Sequence, residues 1–412
     1  MPGSRSARHS TVVHLSRVIV ATVVGYAILY PSLSLAQTVD TVVARELAPG
    51  VIYRKLVDRS GPFTINLVRV DLRRRDIELR AVRAHDALKG REKPSDMVRR
   101  IASEHIVPLV AVNGDFFELK SGENENNQVI DGEWWKGLKV TDSPYDTYDN
   151  VHVQFALDDA RHPFMDRYIL DARAIAHGLT TPIVSLNFNP SGNPEGTALY
   201  TQRYGAMTPR DTTRQTAEAA LVGAGRRGDT LLFIRRDEVV SAGGSPIPAG
   251  GAVLSAYGTG ARTKEIQTMA VGDTIKVLLT TLPRLPRASP TIVIGGWPRI
   301  LRDGEIVAGE APTVEGTISR NAETRHARTS IGFSRDSTTL FLMTVDGRST
   351  QSVGMTLVEL ATFMRAAGAW QAMNFDGGGS TTMVVDGTLA NAPSDSTGER
   401  AVGNALLVVR RK

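Results

Sequence analysis

Short apolar runs broken by Gly, Pro and Asp recur along most of this chain, the pattern of β-strands joined by turns. Val51 to Val57, Phe63 to Leu72 and Ile77 to Val82 are three such runs, and Ser60-Gly61-Pro62 breaks the first two. The chain is therefore expected to open as antiparallel hairpins. Ser95 stands where a helix running to about Ser103 needs its N-cap, and Val107 to Val112 then reads as a buried strand ending at Asn113-Gly114-Asp115-Phe116-Phe117. From Lys120 to Asn150 the chain is acidic and amide-rich around Trp134-Trp135, which predicts a long loop or insertion. A β-rich region follows from Val151 to about Thr280, and the prolines at 283, 286 and 290 mark a connecting loop.

The last hundred residues are the most legible. Arg328 to Phe333 and Thr339 to Val345 flank Asp336-Ser337 as a hairpin, and the second run ends at Asp346-Gly347-Arg348. Thr356 and Glu359 form a capping box for a helix whose Leu357, Leu360, Ala361 and Met364 share one face. Gly368 is its stop. Ala372 to Phe375 and Thr381 to Val385 then read as a strand and its returning partner around the tight loop Asp376 to Ser380. Strands in hairpins with few helices predict an α+β fold, a β-rich mixed sheet in a single large catalytic domain. The expected divisions are a signal peptide over 1–36, an N-terminal β-hairpin segment over 37–105, and a catalytic domain over 106–412 with the loop insertion near 120–150.

Composition alters this picture at the N-terminus. Arg5, Arg8 and Arg17 precede the apolar stretch Val18 to Tyr30, and Ser34-Leu35-Ala36 offers small residues for cleavage, so residues 1–36 read as a secretory signal. The stretch is shorter than the ~20 apolar residues a spanning helix needs, and export to a periplasmic or extracellular location is expected with no stable membrane span after cleavage. Those residues carry three arginines and no Asp or Glu, so their removal takes the net charge from +5 to +2. A chain so nearly neutral gives no electrostatic case for nucleic acid. The absence of cysteine excludes disulfides, thiolate nucleophiles and Cys-ligated zinc.

Candidate chemistry concentrates in Asn374-Phe375-Asp376-Gly377-Gly378-Gly379-Ser380-Thr381-Thr382. Three consecutive glycines in a loop cost folding entropy, and geometry closed to other residues, or a ligand close to main-chain N–H groups, justifies it. No Gly-Lys-Ser/Thr follows, and no Gly-x-Ser-x-Gly, His-Glu-x-x-His or EF-hand pattern occurs. Walker-type, serine-hydrolase, zincin and calcium-sensor readings lose their best supports. Among the scattered histidines, His326 near Arg328 is the one to watch.

Asn113 to Phe117, Gly295-Gly296 through Arg302-Asp303-Gly304, Arg328-Thr329 with Gly332, Asp346-Gly347-Arg348, the Thr356 to Gly368 helix and Asn374 to Thr382 occur in a fixed order. In that order and approximate spacing the chain resembles the phosphodiester glycosidase family, over roughly Pro49 to Val409. Phe375 stands where that family often has Leu or Met, and Asp115 where many members have Gly. The resemblance implies an exported hydrolase that cleaves the C1–O bond of a sugar-1-phosphodiester such as an N-acetylglucosamine-1-phosphodiester. A phosphate monoester is a weak base, so holding the departing phosphate becomes the main task, which suits the planar fork of arginine. Asp376 and Asp346 are the expected nucleophile or base, and Arg328 the third catalytic group. Asn113, Asp115, Phe117, Thr329, Arg348, Asn374, Gly377, Gly378, Gly379, Ser380, Thr381 and Arg400 are the expected substrate-binding residues, with Phe116 or Phe117 stacking on a sugar ring and the Gly377 to Ser380 backbone donating hydrogen bonds. No cofactor and no catalytic metal ligand is expected, and a structural divalent cation is left open. Two other readings stand beside this one: a non-catalytic binder of envelope polysaccharide, and a metal-dependent phosphodiesterase cutting P–O through Asp142, Asp146 and Asp149.

Overall fold

Every second residue of the strand Thr339–Val345 faces the same way, and the two faces bury into different cores. Leu340 and Leu342 join one apolar cluster, Phe341, Met343 and Val345 another. Burial on both faces explains why this strand reads as an unbroken apolar run. The computed structural model describes residues 39–143, 150–189, 195–210, 213–238, 240–241, 243–258, 260–285, 290–316 and 323–412. The expected signal peptide lies outside the described residues.

Three sheets occur among the described residues. The first has eight strands, in the order Val39–Ala48, Val51–Asp58, Phe63–Asp71, Thr339–Val345, Arg328–Phe333, Gln371–Asn374, Arg299–Arg302 and Glu305–Ile306. The second has five, in the order Thr388–Leu389, Met383–Val385, Ile106–Asn113, Asn404–Arg411 and Ile77–Arg83. Leu340, Leu342, Ile331 and Met373 of the first pack against Val110, Val112, Leu406 and Val408 of the second. The helix Leu357–Ala367 covers the outer face of the first sheet, and the helix Pro94–Ile101 that of the second. The result is a helix–sheet–sheet–helix stack. A thirteen-stranded sheet between Gln128 and Gly295 encloses its own Ala- and Leu-rich core. Strands make up 48% of the structure and helices 12%, which is the β-rich α+β class expected. The thirteen-stranded sheet is mixed through the parallel pair of Ser185–Leu186 with Gly196–Thr201.

The C-terminal elements follow the sequence closely: the hairpin has the expected bounds, Thr356 caps its helix in a full capping box with Glu359, and Gly368 adopts φ +107 at the C-cap. Three local expectations need correction. Ser95 lies inside its helix behind Pro94, and its hydroxyl donates to Glu399 at 2.6 Å instead of capping. The stretch 120–150 is no simple loop, because Gln128–Ile130 and Glu133–Leu138 form a hairpin and both Trp134 and Trp135 are buried. Nor do Gln371–Asn374 and Met383–Val385 pair with each other: the first belongs to the eight-stranded sheet, and the second pairs with Ile106–Asn113 in the five-stranded one. The glycine loop between them is a crossover joining two layers.

Candidate active site

Antiparallel register brings the motifs together. Arg328 opens its strand opposite Val345, which ends the strand leading to Asp346-Gly347-Arg348, and Ser330 pairs with Asn374 at the end of a third strand. Three motifs separated in sequence thus emerge from one end of the eight-stranded sheet. The strand Arg299–Arg302 runs antiparallel to Gln371–Asn374, and Trp297 just before it donates its N–H to the Asn374 carbonyl at 2.9 Å. From the five-stranded sheet comes Asn113-Gly114, whose Gly114 carbonyl accepts the Asp376 N–H at 2.9 Å.

These ends surround a cleft of about 190 Å³ lined by Phe116, Trp297, His326, Arg328, Arg348, Asp376, Gly377, Gly378, Gly379 and Arg400. The carboxylate of Asp376 accepts the Gly377 N–H at 2.8 Å. Burial pushes its pKa up to about 6, against the lowering effects of the Ser380 hydroxyl and the Arg400 charge. Burial likewise pushes Arg328 down to about 10. Its guanidinium donates to the Met355 carbonyl at 2.9 Å and to the Thr324 carbonyl at 3.0 Å. Arg348 and Arg400 meet on Asp395, at 3.4 Å and 2.7 Å. Burial first, and then the charges of Arg328 and Arg348, hold the His326 ring below its ordinary pKa. Phe116 and Trp297 form an edge-to-face aromatic wall with centroids 6.5 Å apart. Trp297 Nε1 is buried with no hydrogen-bond partner among the described residues, a donor of the kind that functional sites leave unmatched.

The remaining expected residues stand behind the cleft. Asn113 Oδ1 accepts the Thr329 hydroxyl at 2.7 Å and the Thr382 N–H at 3.0 Å, while its amide donates to the Asp376 carbonyl at 2.7 Å. Asn113 and Thr329 therefore fix the crossover loop. Asn374 donates to the Trp297 carbonyl at 2.6 Å and positions the aromatic wall. Ser380 and Thr381 are buried; the Ser380 hydroxyl accepts from Arg400 at 3.3 Å, and the Thr381 carbonyl accepts from Asn391 at 3.0 Å. Asp346 does not line the cleft: its carboxylate accepts the Ala392 N–H at 3.2 Å and its carbonyl the Ser352 hydroxyl at 2.7 Å. It ties the Arg348 turn to the loop that carries Asp395. Asp115 is fully buried, accepting from Asn126 at 2.7 Å and Asn124 at 3.1 Å, and burial raises its pKa. Phe117 is a core residue beside Val82, Met97 and Val402, so of the two phenylalanines it is Phe116 that reaches the cleft.

Of the four main-chain N–H groups expected to form an anion nest, three are engaged within the protein. Gly377 N–H donates to Asp376, Gly378 N–H to the Ala327 carbonyl at 2.8 Å, and Ser380 N–H to the Gly377 carbonyl at 3.1 Å. The glycines serve close packing instead. A Cβ on Gly379 would lie 2.1 Å from Arg400 Nη2 and 2.2 Å from Asp395 Oδ1, and Gly378 has φ +58 with Arg348 3.1 Å from its missing Cβ. Trp297 and Asp395 were not singled out by sequence reasoning; a tryptophan directly after the Gly295-Gly296 motif was the available signal for the first.

A larger cavity of about 720 Å³ opens on the thirteen-stranded sheet near Trp134, Arg203 and Phe233. Arg203 there is paired with Glu133, Arg226 donates to the Gly228 and Gly132 carbonyls, and none of the ordered motifs reaches its lining. Chemistry favours the smaller cleft, where three arginines and a carboxylate of raised pKa converge. Of the acidic residues considered for metal, Asp142 pairs with Lys136 at 3.3 Å, and Asp146 and Asp149 lie outside the described residues.

Residues 233–409 match the family described as phosphodiester glycosidase. A stretch of 110 residues is 36% identical to N-acetylglucosamine-1-phosphodiester alpha-N-acetylglucosaminidase of Mus musculus, covering 25% of this chain and 21% of that protein. The chain thus matches about a fifth of the length of that relative. Two solved structures share the fold. A hypothetical protein from Synechocystis has a TM-score of 0.70 at 21% identity, covering 90% of this chain and 64% of that one. A putative exported protein from Burkholderia pseudomallei has a TM-score of 0.62 at 22% identity, covering 84% and 74%. The motifs from Gly295 to Asn404 lie inside the matched span, so over residues 233–409 this chain is similar to the phosphodiester glycosidase family.

Proposed function

We propose that this protein is an exported hydrolase that cleaves the C1–O bond of a sugar-1-phosphodiester, of the N-acetylglucosamine-1-phosphodiester kind, on envelope or extracellular glycans. The observation that carries this reading is the convergence of Arg328, Arg348 and Arg400 with Asp376 in one small cleft walled by Phe116 and Trp297. Arg348 and Arg400 take the phosphate oxygens, and the aromatic wall takes the apolar face of the sugar. As the C1–O bond lengthens, negative charge moves onto the phosphate, where the guanidinium groups stabilise it more in the transition state than in the ground state. Asp376 faces C1 as nucleophile or base, ionised above its raised pKa of about 6. The leaving phosphate needs little proton donation, so one carboxylate suffices where ordinary glycosidases use two.

The test is hydrolysis of UDP-N-acetylglucosamine and of the methyl ester of N-acetylglucosamine-1-phosphate in oxygen-18 water, with and without chelator, followed by mass spectrometry. Label at sugar C1 with unlabelled phosphate is the expected result. Label in phosphate replaces this reading with P–O cleavage, and binding without turnover replaces it with a carbohydrate-binding module.

A further inference from the structure

We propose that Asp395 sets the charge selectivity of the cleft, tuning it to a singly charged phosphodiester and against the doubly charged phosphomonoester that hydrolysis releases. This rests on the reading given above. A phosphodiester keeps one negative charge at all pH values near neutrality, whereas a phosphomonoester, with a second pKa of about 6, carries nearly two. A site holding three unopposed arginines would therefore retain its product more tightly than its substrate. Asp395 stands between two of them, its Oδ1 on Arg348 and its Oδ2 on Arg400, with only 21% of its side chain exposed. Arg348, Arg400 and Arg328 against Asp376 and Asp395 leave a formal charge of +1, the complement of a diester.

The contact is built in by the backbone. Gly379 lacks the Cβ that would displace both Arg400 and Asp395, and Asp346 holds the Ala392 N–H close to the Arg348 turn. Asp395 is not among the residues lining the cleft, so it acts through the two arginines and is a specificity-determining residue without touching substrate. Its removal adds one positive charge to the cleft, which favours a dianion over a monoanion by the Coulomb energy of one additional charge pair.

The experiment is calorimetric binding at pH 8 of dimethyl phosphate, a fixed monoanion, and methyl phosphate, a dianion, to the full chain and its variants. Asp395→Asn is expected to shift the affinity ratio toward methyl phosphate by about tenfold, the scale of one partly screened charge pair. Asp395→Glu, which keeps the charge, is expected to hold the wild-type ratio, and Arg348→Gln to move it the opposite way. An unchanged ratio in a folded Asp395→Asn protein overturns the proposal. If that variant does not fold, absence of the opposite shift in Arg348→Gln overturns it, as does wild-type protein that binds neither anion. Sugar-1-phosphodiester hydrolysis with an immobile ratio removes only this inference. The expected shifts in a protein that turns over no such diester remove the hydrolase reading and leave the charge selectivity standing.

Discussion

In the proposed reaction Asp376 pairs an activity with a stability cost. Burial raises its folded-state pKa from 3.8 to about 6, so the folded protein binds that proton more tightly than the unfolded chain does. The stabilisation from the bound proton is full below the unfolded pKa and is lost as pH rises through about 6. Above that window the ionised carboxylate costs the fold about 1–3 kcal/mol. Asp376→Asn keeps an acceptor for the Gly377 N–H but removes the charge. Its unfolding free energy at pH 8 is expected to rise by about 1–2 kcal/mol, measured in urea, while turnover falls about 10²–10⁴-fold. A variant that lost stability and kept its rate would make Asp376 a mere turn residue. For the wild type, an acid limb in kcat/KM near pH 6 is expected, because the proposed mechanism uses the ionised form.

Neighbouring phenylalanines divide between site and core. Phe116→Ala is expected to raise KM about tenfold with little change in melting temperature, since Phe116 lines the cleft. Phe117→Ala is expected to destabilise by about 3–5 kcal/mol, because Phe117 is buried beside Met97 and Val402. Steady-state kinetics and thermal melts on the pair separate the roles, and equal effects would contradict the division.

Elements whose partners are local were legible in the sequence. The hairpin Arg328–Phe333 with Thr339–Val345 closes through its own turn, and the capping box lies within one helical turn, so each declares itself over a few residues. Thr356→Ala is expected to cost about 1 kcal/mol by urea unfolding, the usual worth of an N-cap. What depended on distant partners was not legible. Met383–Val385 looks like a returning strand, yet its partner is Ile106–Asn113, and no local pattern names a partner so far away. The run Asn124-Glu125-Asn126-Asn127-Gln128 has the composition of a surface loop, yet all five residues are buried. Its three asparagines are held by Asp115, Arg83 and the Tyr168 carbonyl, partners that only the fold supplies. The Asp-Gly-Gly-Gly-Ser loop was legible as special, but its reason lay elsewhere: the glycines make room for Arg348, Arg400 and Asp395. Gly379→Ala is therefore expected to lower kcat/KM by about 10²-fold or more while the protein stays folded, read by kinetics and circular dichroism together. Unaltered kinetics would mean that the arginine clamp tolerates displacement.

At the scale of the molecule, the segment 233–409 that matches the phosphodiester glycosidase family is not a structural unit by itself. Its strand Thr339–Val345 pairs along its whole length with Phe63–Asp71, and Asn404–Arg411 lies between Ile77–Arg83 and Ile106–Asn113. The site inherits this division. Asp376 is fixed by the Gly114 carbonyl and the Asn113 side chain, and Phe116 completes the aromatic wall, all three from outside the segment. Excising 233–409 would expose the apolar faces of Leu340, Leu342, Leu406 and Val408 and leave edges of Thr339–Val345, Met383–Val385 and Asn404–Arg411 without partners. Such a fragment is expected to show no cooperative unfolding transition and to aggregate, whereas the chain from residue 39 to 412 melts cooperatively and binds methyl phosphate. A fragment that melted cooperatively and bound the anion would mean that the cleft assembles without the N-terminal strands, and that their hydrogen bonds to Asp376 and Thr329 are dispensable.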